Sequence, residues 1–214
     1  MLSLKDLVKM LISSFIFTFF VIGCQTAEEK TDPDQYIKKI QKERIEKNKE
    51  LLDTTVSRFN QEERAQFAMK GLQYFPPDIN YEVDAEFVVD TSTAVFQMET
   101  TTDRKPNYRI YGYLDFNIND TACHLTVFQN VDFKDHPEHG KYLFIPFNDN
   151  TNEFTTYGGG RYIDILIPAS PNITLDFNNA YNPYCAYADR WSCPLVPYEN
   201  QLNVTIPAGE KKYK

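Results

Sequence analysis

The stretch YRIYGYLDFNI, residues 108–118, decides the fold. Tyr108, Ile110, Leu114, Phe116 and Ile118 alternate with Arg109, Tyr111, Tyr113, Asp115 and Asn117. A period of two marks a strand with one face in a core, because successive side chains leave a pleated strand on opposite sides. The same period runs through residues 81–89, where Tyr81, Val83, Ala85, Phe87 and Val89 alternate with Glu82, Asp84 and Glu86. Cys123, Leu125 and Val127 supply the next apolar face, and further strands are expected at 94–99, 142–147, 161–167, 173–177 and 202–206. Short strands with polar turns between them, and no helical stretch after residue 71, predict a mainly β chain: an antiparallel β-sandwich or barrel.

Upstream the period becomes helical. Residues 34–54 are helix formers with a thin apolar stripe of Tyr36, Ile37, Ile40, Ile45, Leu51 and Leu52. A second helix is bounded by Asn60 as cap, Glu63 at its third position and Gly71 as stop, with Phe67 and Leu72 spaced for contact across its end. Before them lies a polar tether, residues 24–33. Residues 34–71 therefore form a helical segment and 72–214 a β-rich domain, so two N-terminal helices precede the sheet.

The first 23 residues read as a targeting segment. Lys5 and Lys9 precede a charge-free run from Met10 to Gly23. A spanning helix needs roughly 20 apolar residues, and this run has instead the length of a signal-peptide core. It ends in VIGC, residues 21–24, which resembles the lipobox of bacterial lipoproteins. That resemblance implies a lipid on the Cys24 sulfur and acyl chains such as palmitate. The membrane is then the expected partner, and a lipid-anchored place in the cell envelope the expected location. The chain is acidic, with 30 Asp and Glu against 22 Lys and Arg, and has no basic stripe, which excludes nucleic acid as partner.

Four C-terminal and central strings carry a family resemblance: FAMKGLQYFPPDINYEVDAEF (67–87), LFIPFNDNTNEFTTYGGGRYIDI (143–165), ITLDFNNAYNPYCAY (173–187) and WSCPLVPYENQLNVTIPAGEKKY (191–213). Over about residues 55–213 the chain resembles the bacterial family called domain of unknown function 1684. The resemblance implies a β-rich domain on secreted or lipid-anchored chains and carries no activity. At Asn148 and Asn179 this chain lacks the arginines common in that pattern; Arg161 remains.

Catalysis finds little support in the sequence. Cys123 and His124 are neighbours on a strand and point to opposite faces, so they cannot pair. His136 and His139 sit in a turn-like stretch without a zinc spacing, and residues 148–153 lack the first Asp and the Gly of an EF-hand loop. No metal or cofactor is expected. Cys185 and Cys193, with seven residues between them, are expected as a disulfide that staples an aromatic, proline-rich loop.

That loop, and the turn Tyr157-Gly158-Gly159-Gly160-Arg161, each have two readings. Either they are scaffold, or they wall a cleft for a small polar or carbohydrate ligand. The candidate ligand-binding residues are Asp149, Tyr157, Arg161, Asp176, Asn178 and Asn182. Arg161 shares parity with Ile163, Ile165 and Ile167 and so faces the apolar side, where a carboxylate must meet it; Asp149 and Asp176 are the candidates. The functional expectation is a ligand- or partner-binding β domain. Two alternatives stand beside it. One is an envelope hydrolase working through carboxylates such as Asp149, Asp176 or Glu210. The other is a purely structural envelope component that uses its N-terminal helix as an interaction surface.

Overall fold

The computed structural model describes residues 32–214. The signal-peptide and Cys24 readings, and the tether up to residue 31, lie outside the described residues. Helix α1 spans Pro33–Leu52, capped by the Asp32 carboxylate, which accepts from Asp34 N at 3.1 Å, with Pro33 in the first turn. Helix α2 spans Gln61–Lys70 and opens on a reciprocal cap: Asn60 Oδ1 accepts from Glu63 N at 2.9 Å and Glu63 Oε2 from Asn60 N at 2.8 Å. Gly71 closes it at φ 63°, and Phe67 and Leu72 then meet in one apolar cluster with Leu51, Phe59, Tyr187 and Tyr213.

The apolar stripe of α1 differs from expectation. Tyr36, Ile40 and Leu51 are buried, but Ile45 is 55% and Leu52 40% exposed. Positions i, i+4, i+8, i+11, i+12 and i+15 from Tyr36 place Arg44, Lys47 and Asn48 in the middle of the docked face. The helix is held there by polar bonds. Tyr36 Oη donates to Asp176 at 2.9 Å, Arg44 to Phe75 O at 2.7 Å, and Asn48 Oδ1 accepts from Leu72 N at 3.0 Å.

The remainder is one curled antiparallel sheet, a half-barrel. Its strands are β1 (Glu82–Val89), β2 (Val95–Gln97), β3 (Asn107–Ile118), β4 (Thr121–Asn130), β5 (Tyr142–Phe147), β6 (Arg161–Leu166) and β7 (Asn172–Asp176). The order is β6-β5-β4-β3-β1-β7, with β2 pairing beside β1 on β3. The fold is mainly β with two N-terminal helices. The chain lines the inside of the curl with Leu114, Phe116, Leu125, Leu143, Ile145, Ile163 and Leu175, all buried.

Strand β3 does not keep one face inward throughout. Its register with β4 slips between Ile110 and Gly112, an inserted residue that reverses the parity. Beyond the slip Leu114, Phe116 and Ile118 enter the main core. Before it Tyr108 and Ile110 face a second cluster on the other side, with Met98, Phe128 and Phe144. Gly112 is required there, since a Cβ would strike the Val88 carbonyl and the Phe87 ring.

Residues 202–206 send Leu202, Val204 and Ile206 into the core, with Ala208 beyond them, yet they bend at 203–204 and form no strand of the sheet, contrary to the expected strand. Leu202 N donates to Asn148 O and Asn150 N to Val204 O, both at 2.8 Å. The next partner is a side chain, because Ile206 N donates to Asp149 Oδ2 at 2.7 Å. A carboxylate replaces a ladder carbonyl, and regular pairing stops. This closing segment is anchored by Asn200, which fills the gap where β4 and β5 diverge. Its Oδ1 accepts from Thr126 N at 2.7 Å, and its Nδ2 donates to Thr126 O at 2.8 Å and Pro146 O at 2.7 Å.

Asn200→Ala should cost about 3 kcal/mol, because it strands buried backbone groups of two strands. Urea unfolding checks this against Glu199→Ala next to it, which should change stability by less than about 0.5 kcal/mol.

Candidate functional site

The six candidate ligand-binding residues fall into separate groups. Asp149 and Arg161 meet: Arg161 Nη2 lies 3.0 Å from Asp149 Oδ1, and both side chains are fully buried. Arg161 also donates to Ala208 O and, at 3.0 Å, to Ile206 O. Asp149 accepts in addition from Thr151 Oγ1 at 2.8 Å and Ile206 N at 2.7 Å. Burial pulls the guanidinium below its ordinary range, and the Asp149 carboxylate opposes that shift. The pair ties β6 and the turn after β5 to the closing segment.

Asp176 and Asn178 form a second group. Asp176 accepts from Tyr36 Oη, Asn178 N and Asn178 Nδ2 on one oxygen and from Asn179 Nδ2 on the other. Asn178 clamps residue 78, its Oδ1 accepting from Asp78 N at 2.9 Å and its Nδ2 donating to Asp78 O at 2.8 Å. Asn182 joins a third group, donating from Nδ2 to Lys211 O and from its backbone N to Glu210 Oε2, each at 2.8 Å. These buried amides bind irregular backbone, as buried polar groups must.

Tyr157 belongs to a tight turn, its carbonyl accepting from Gly160 N at 3.1 Å and from Asn152 Nδ2 at 2.7 Å. Gly160 sits at φ 90°, where a Cβ would collide with Val196, Asn148 and the Phe147 carbonyl. Burial raises the Tyr157 phenol, with Cys185 and Cys193 nearby adding to the effect. Those two cysteines, expected as a disulfide, stand side by side as free thiols, Cys185 N donating to Cys193 Sγ at 3.2 Å.

The residue that sequence reasoning named only among carboxylates lines a cavity. Glu210 is fully buried, and its position is fixed by residues 73–75 pairing with 209–211: Phe75 N donates to Gly209 O at 3.0 Å and Lys211 N to Gln73 O at 2.8 Å. Glu210 Oε2 accepts from Asn182 N and, at 3.0 Å, from Tyr187 Oη. Its Oε1 faces Lys47 Nζ at 2.9 Å, an ion pair whose geometry falls short of a hydrogen bond. Burial, then the Glu210 charge, pushes the Tyr187 phenol well up.

Between α1 and this segment lies a cavity of about 70 Å³, lined by Glu43, Arg44, Lys47, Tyr74, Asn178, Asn179, Ala180 and Glu210. Arg44 lies over the Tyr74 ring, 4.4 Å from its centroid, and Lys47 over the Tyr181 ring at 4.6 Å. The Tyr74 hydroxyl and Arg44 Nε are buried without a hydrogen-bond partner among the described residues. Arg161 Nε, Asn182 Oδ1 and Trp191 Nε1 share that state elsewhere, but here the two donors come from residues that line one cavity. Two cations, Arg44 and Lys47, balance two carboxylates, Glu43 and Glu210, so the cavity carries no net charge. The polar atoms of its lining residues that make no hydrogen bond are Arg44 Nε, Tyr74 Oη and Glu210 Oε1, the last ion-paired with Lys47. The sequence reading reached Asn178 and Glu210 as separate candidates and missed Arg44 and Lys47, which lie off the apolar stripe it assigned to the helix.

Arg161→Ala should destabilise by about 3–5 kcal/mol, since it leaves Asp149 buried and unpaired. The double replacement Arg161→Met with Asp149→Leu should be clearly milder than the single one. Denaturant unfolding of the three variants measures both statements.

The model of the family described as protein of unknown function, DUF1684, matches residues 67–211. Among solved structures, the chain is similar to the solution NMR structure of an uncharacterized protein of Haloarcula marismortui. The two share 34% identity and a TM-score of 0.63, over 83% of this chain and 95% of that one. No curated protein matches. On the matched length, the identity and the shared fold, the chain belongs to the DUF1684 family.

Proposed function

We propose that this protein is a lipid-anchored component of the cell envelope whose β domain binds a small polar ligand, without chemistry, in the cavity beneath α1. The observation that carries the binding reading is the pair of buried, unpartnered donors, Tyr74 Oη and Arg44 Nε, set beside Glu210 Oε1. A neutral cavity with two donors and one acceptor suits a hydroxyl or carboxamide group, which can accept and donate at once. A cavity of about 70 Å³ takes only such a head group, so a sugar would enter by one substituent and rest its ring at the mouth.

Binding is favoured over hydrolysis by the state of the carboxylates. Asp149 is spent on Arg161, Asp176 on Tyr36 and two asparagines, and Glu210 stands without a second buried carboxylate in its cavity. Hydrolysis by acid and base needs two such groups with separated proton affinities. The anchoring reading rests on the apolar run that ends at Cys24.

Two experiments bear on this reading. Cys24→Ser should release the protein from membranes into the soluble fraction, and the parent should take up labelled palmitate. A variant that stays bound through a salt wash, with no label on the parent, contradicts anchoring. For the cavity, Tyr74→Phe should leave stability within about 0.5 kcal/mol of the parent or raise it, because the lost hydroxyl has no partner. The same variant should abolish the shift of the Arg44 Nε–H resonance produced in the parent by glucose or N-acetylglucosamine. Loss of more than about 1 kcal/mol, with no sugar moving that resonance, would make the hydroxyl part of the scaffold.

A further inference from the structure

The loop from Tyr181 to Asn200 covers the outer face of the sheet, where the rings of Tyr108, Phe144, Tyr162 and Tyr181 meet in a row, tilted or edge to face. Its two thiols are placed unequally. Cys185 is half-exposed on a short turn, its Sγ donating to Trp191 O at 3.1 Å. Cys193 is 7% exposed and lies in a strip paired with residues 99–101, where Thr101 N donates to Cys193 O and Leu195 N to Glu99 O, both at 2.9 Å. Thr101 joins the two: its Oγ1 lies 3.2 Å from Cys185 Sγ and accepts from Cys193 N at 3.1 Å. The strip also holds the sheet, because Pro194 O accepts from Tyr162 Oη.

We propose that Cys185 and Cys193 form a directional thiol–disulfide exchange site, in which Cys185 reacts with an external low-molecular-weight disulfide and Cys193 resolves the product. In the first step the Cys185 thiolate attacks one sulfur of the external disulfide. A mixed disulfide forms on Cys185, and one thiolate leaves. In the second step Cys193 gives its proton to that thiolate or to water and attacks the Cys185 sulfur, expelling the second thiolate. The protein loses two electrons and two protons, and the external disulfide is reduced to two thiols.

Geometry sets the direction, since Cys185 is half-buried and the more accessible of the two, while Cys193 is buried with its Sγ against the Cys185 backbone N–H. Burial, chiefly, pushes the Cys193 thiol up to about 12, so Cys193 is no nucleophile toward molecules in solution. Closing this bond would lock the strip to the turn and fix the support under Tyr162.

The test uses the full chain with Cys24→Ser, which leaves buried Cys123 as the one other cysteine, and oxidised glutathione as the probe. With both thiols present, the product should lose two hydrogen masses, keep no adduct and map as a bond between Cys185 and Cys193. Cys193→Ser should hold one glutathione on Cys185, and Cys185→Ser should leave Cys193 free. Acid quenching at early times, on the chain that keeps both thiols, should find the transient adduct on Cys185, which covers the case where a variant misfolds. An early adduct on Cys193, a stable adduct with both thiols present, or two thiols that remain free would each overturn the proposal.

Discussion

The ion pair of Arg161 with Asp149 is the constraint on which the rest of this structure depends. Both side chains are fully buried, so each charge has lost its water and depends on protein partners, which every nitrogen of the guanidinium but Nε finds. Asp149 reaches the Ile206 amide and the Thr151 hydroxyl, and Arg161 reaches the carbonyls of Ile206 and Ala208. Four groups of the closing segment and its neighbouring turn are thereby satisfied by one pair. A half-barrel has no second sheet to cover its concave side. Leu202, Val204 and Ile206 serve as that cover, and the ion pair holds them there.

From that anchor the chain runs two residues on to Glu210, and the candidate site inherits its rigidity. Glu210 is positioned by backbone pairing with residues 73–75, while the cations opposite it come from α1. The helix buries few apolar side chains in this seam and docks largely through Tyr36, Arg44, Lys47 and Asn48. A polar seam of this kind leaves a cavity that apolar packing would have filled, and its unpartnered donors persist inside it.

How much of this was legible in the sequence depended on whether the signal was local. The alternation over Val83–Phe87 and Leu114–Ile118, the Asn60–Glu63 cap and the Gly71 stop are local, and the folded chain shows each of them, whereas Val89 is exposed and Tyr108 and Ile110 face the other side of the sheet. The parity of Arg161 with Ile163 placed its side chain inward and required a carboxylate, and Asp149 meets it while Asp176 bonds elsewhere. The sequence reading carried one face through residues 108–118, and only pairing with β4 shows that the face reverses at Gly112. Asn178, Asn182 and Asn200 were indistinguishable as amides. Their separate roles come from backbone groups distant in sequence. The α1 stripe misled because hydropathy ranks Ile45 above Arg44, whereas the seam selects for reach and hydrogen bonding.

Native-state hydrogen exchange of the Ile206 amide tests most directly whether the ion pair holds the closing segment. That amide donates to Asp149, and its release requires the pair to break. The account predicts that it exchanges with the same free energy as the amides of Leu114 and Leu125 in the sheet core, through global unfolding only. Exchange at a distinctly lower free energy, with the segment peeling away while the sheet stays protected, would contradict it.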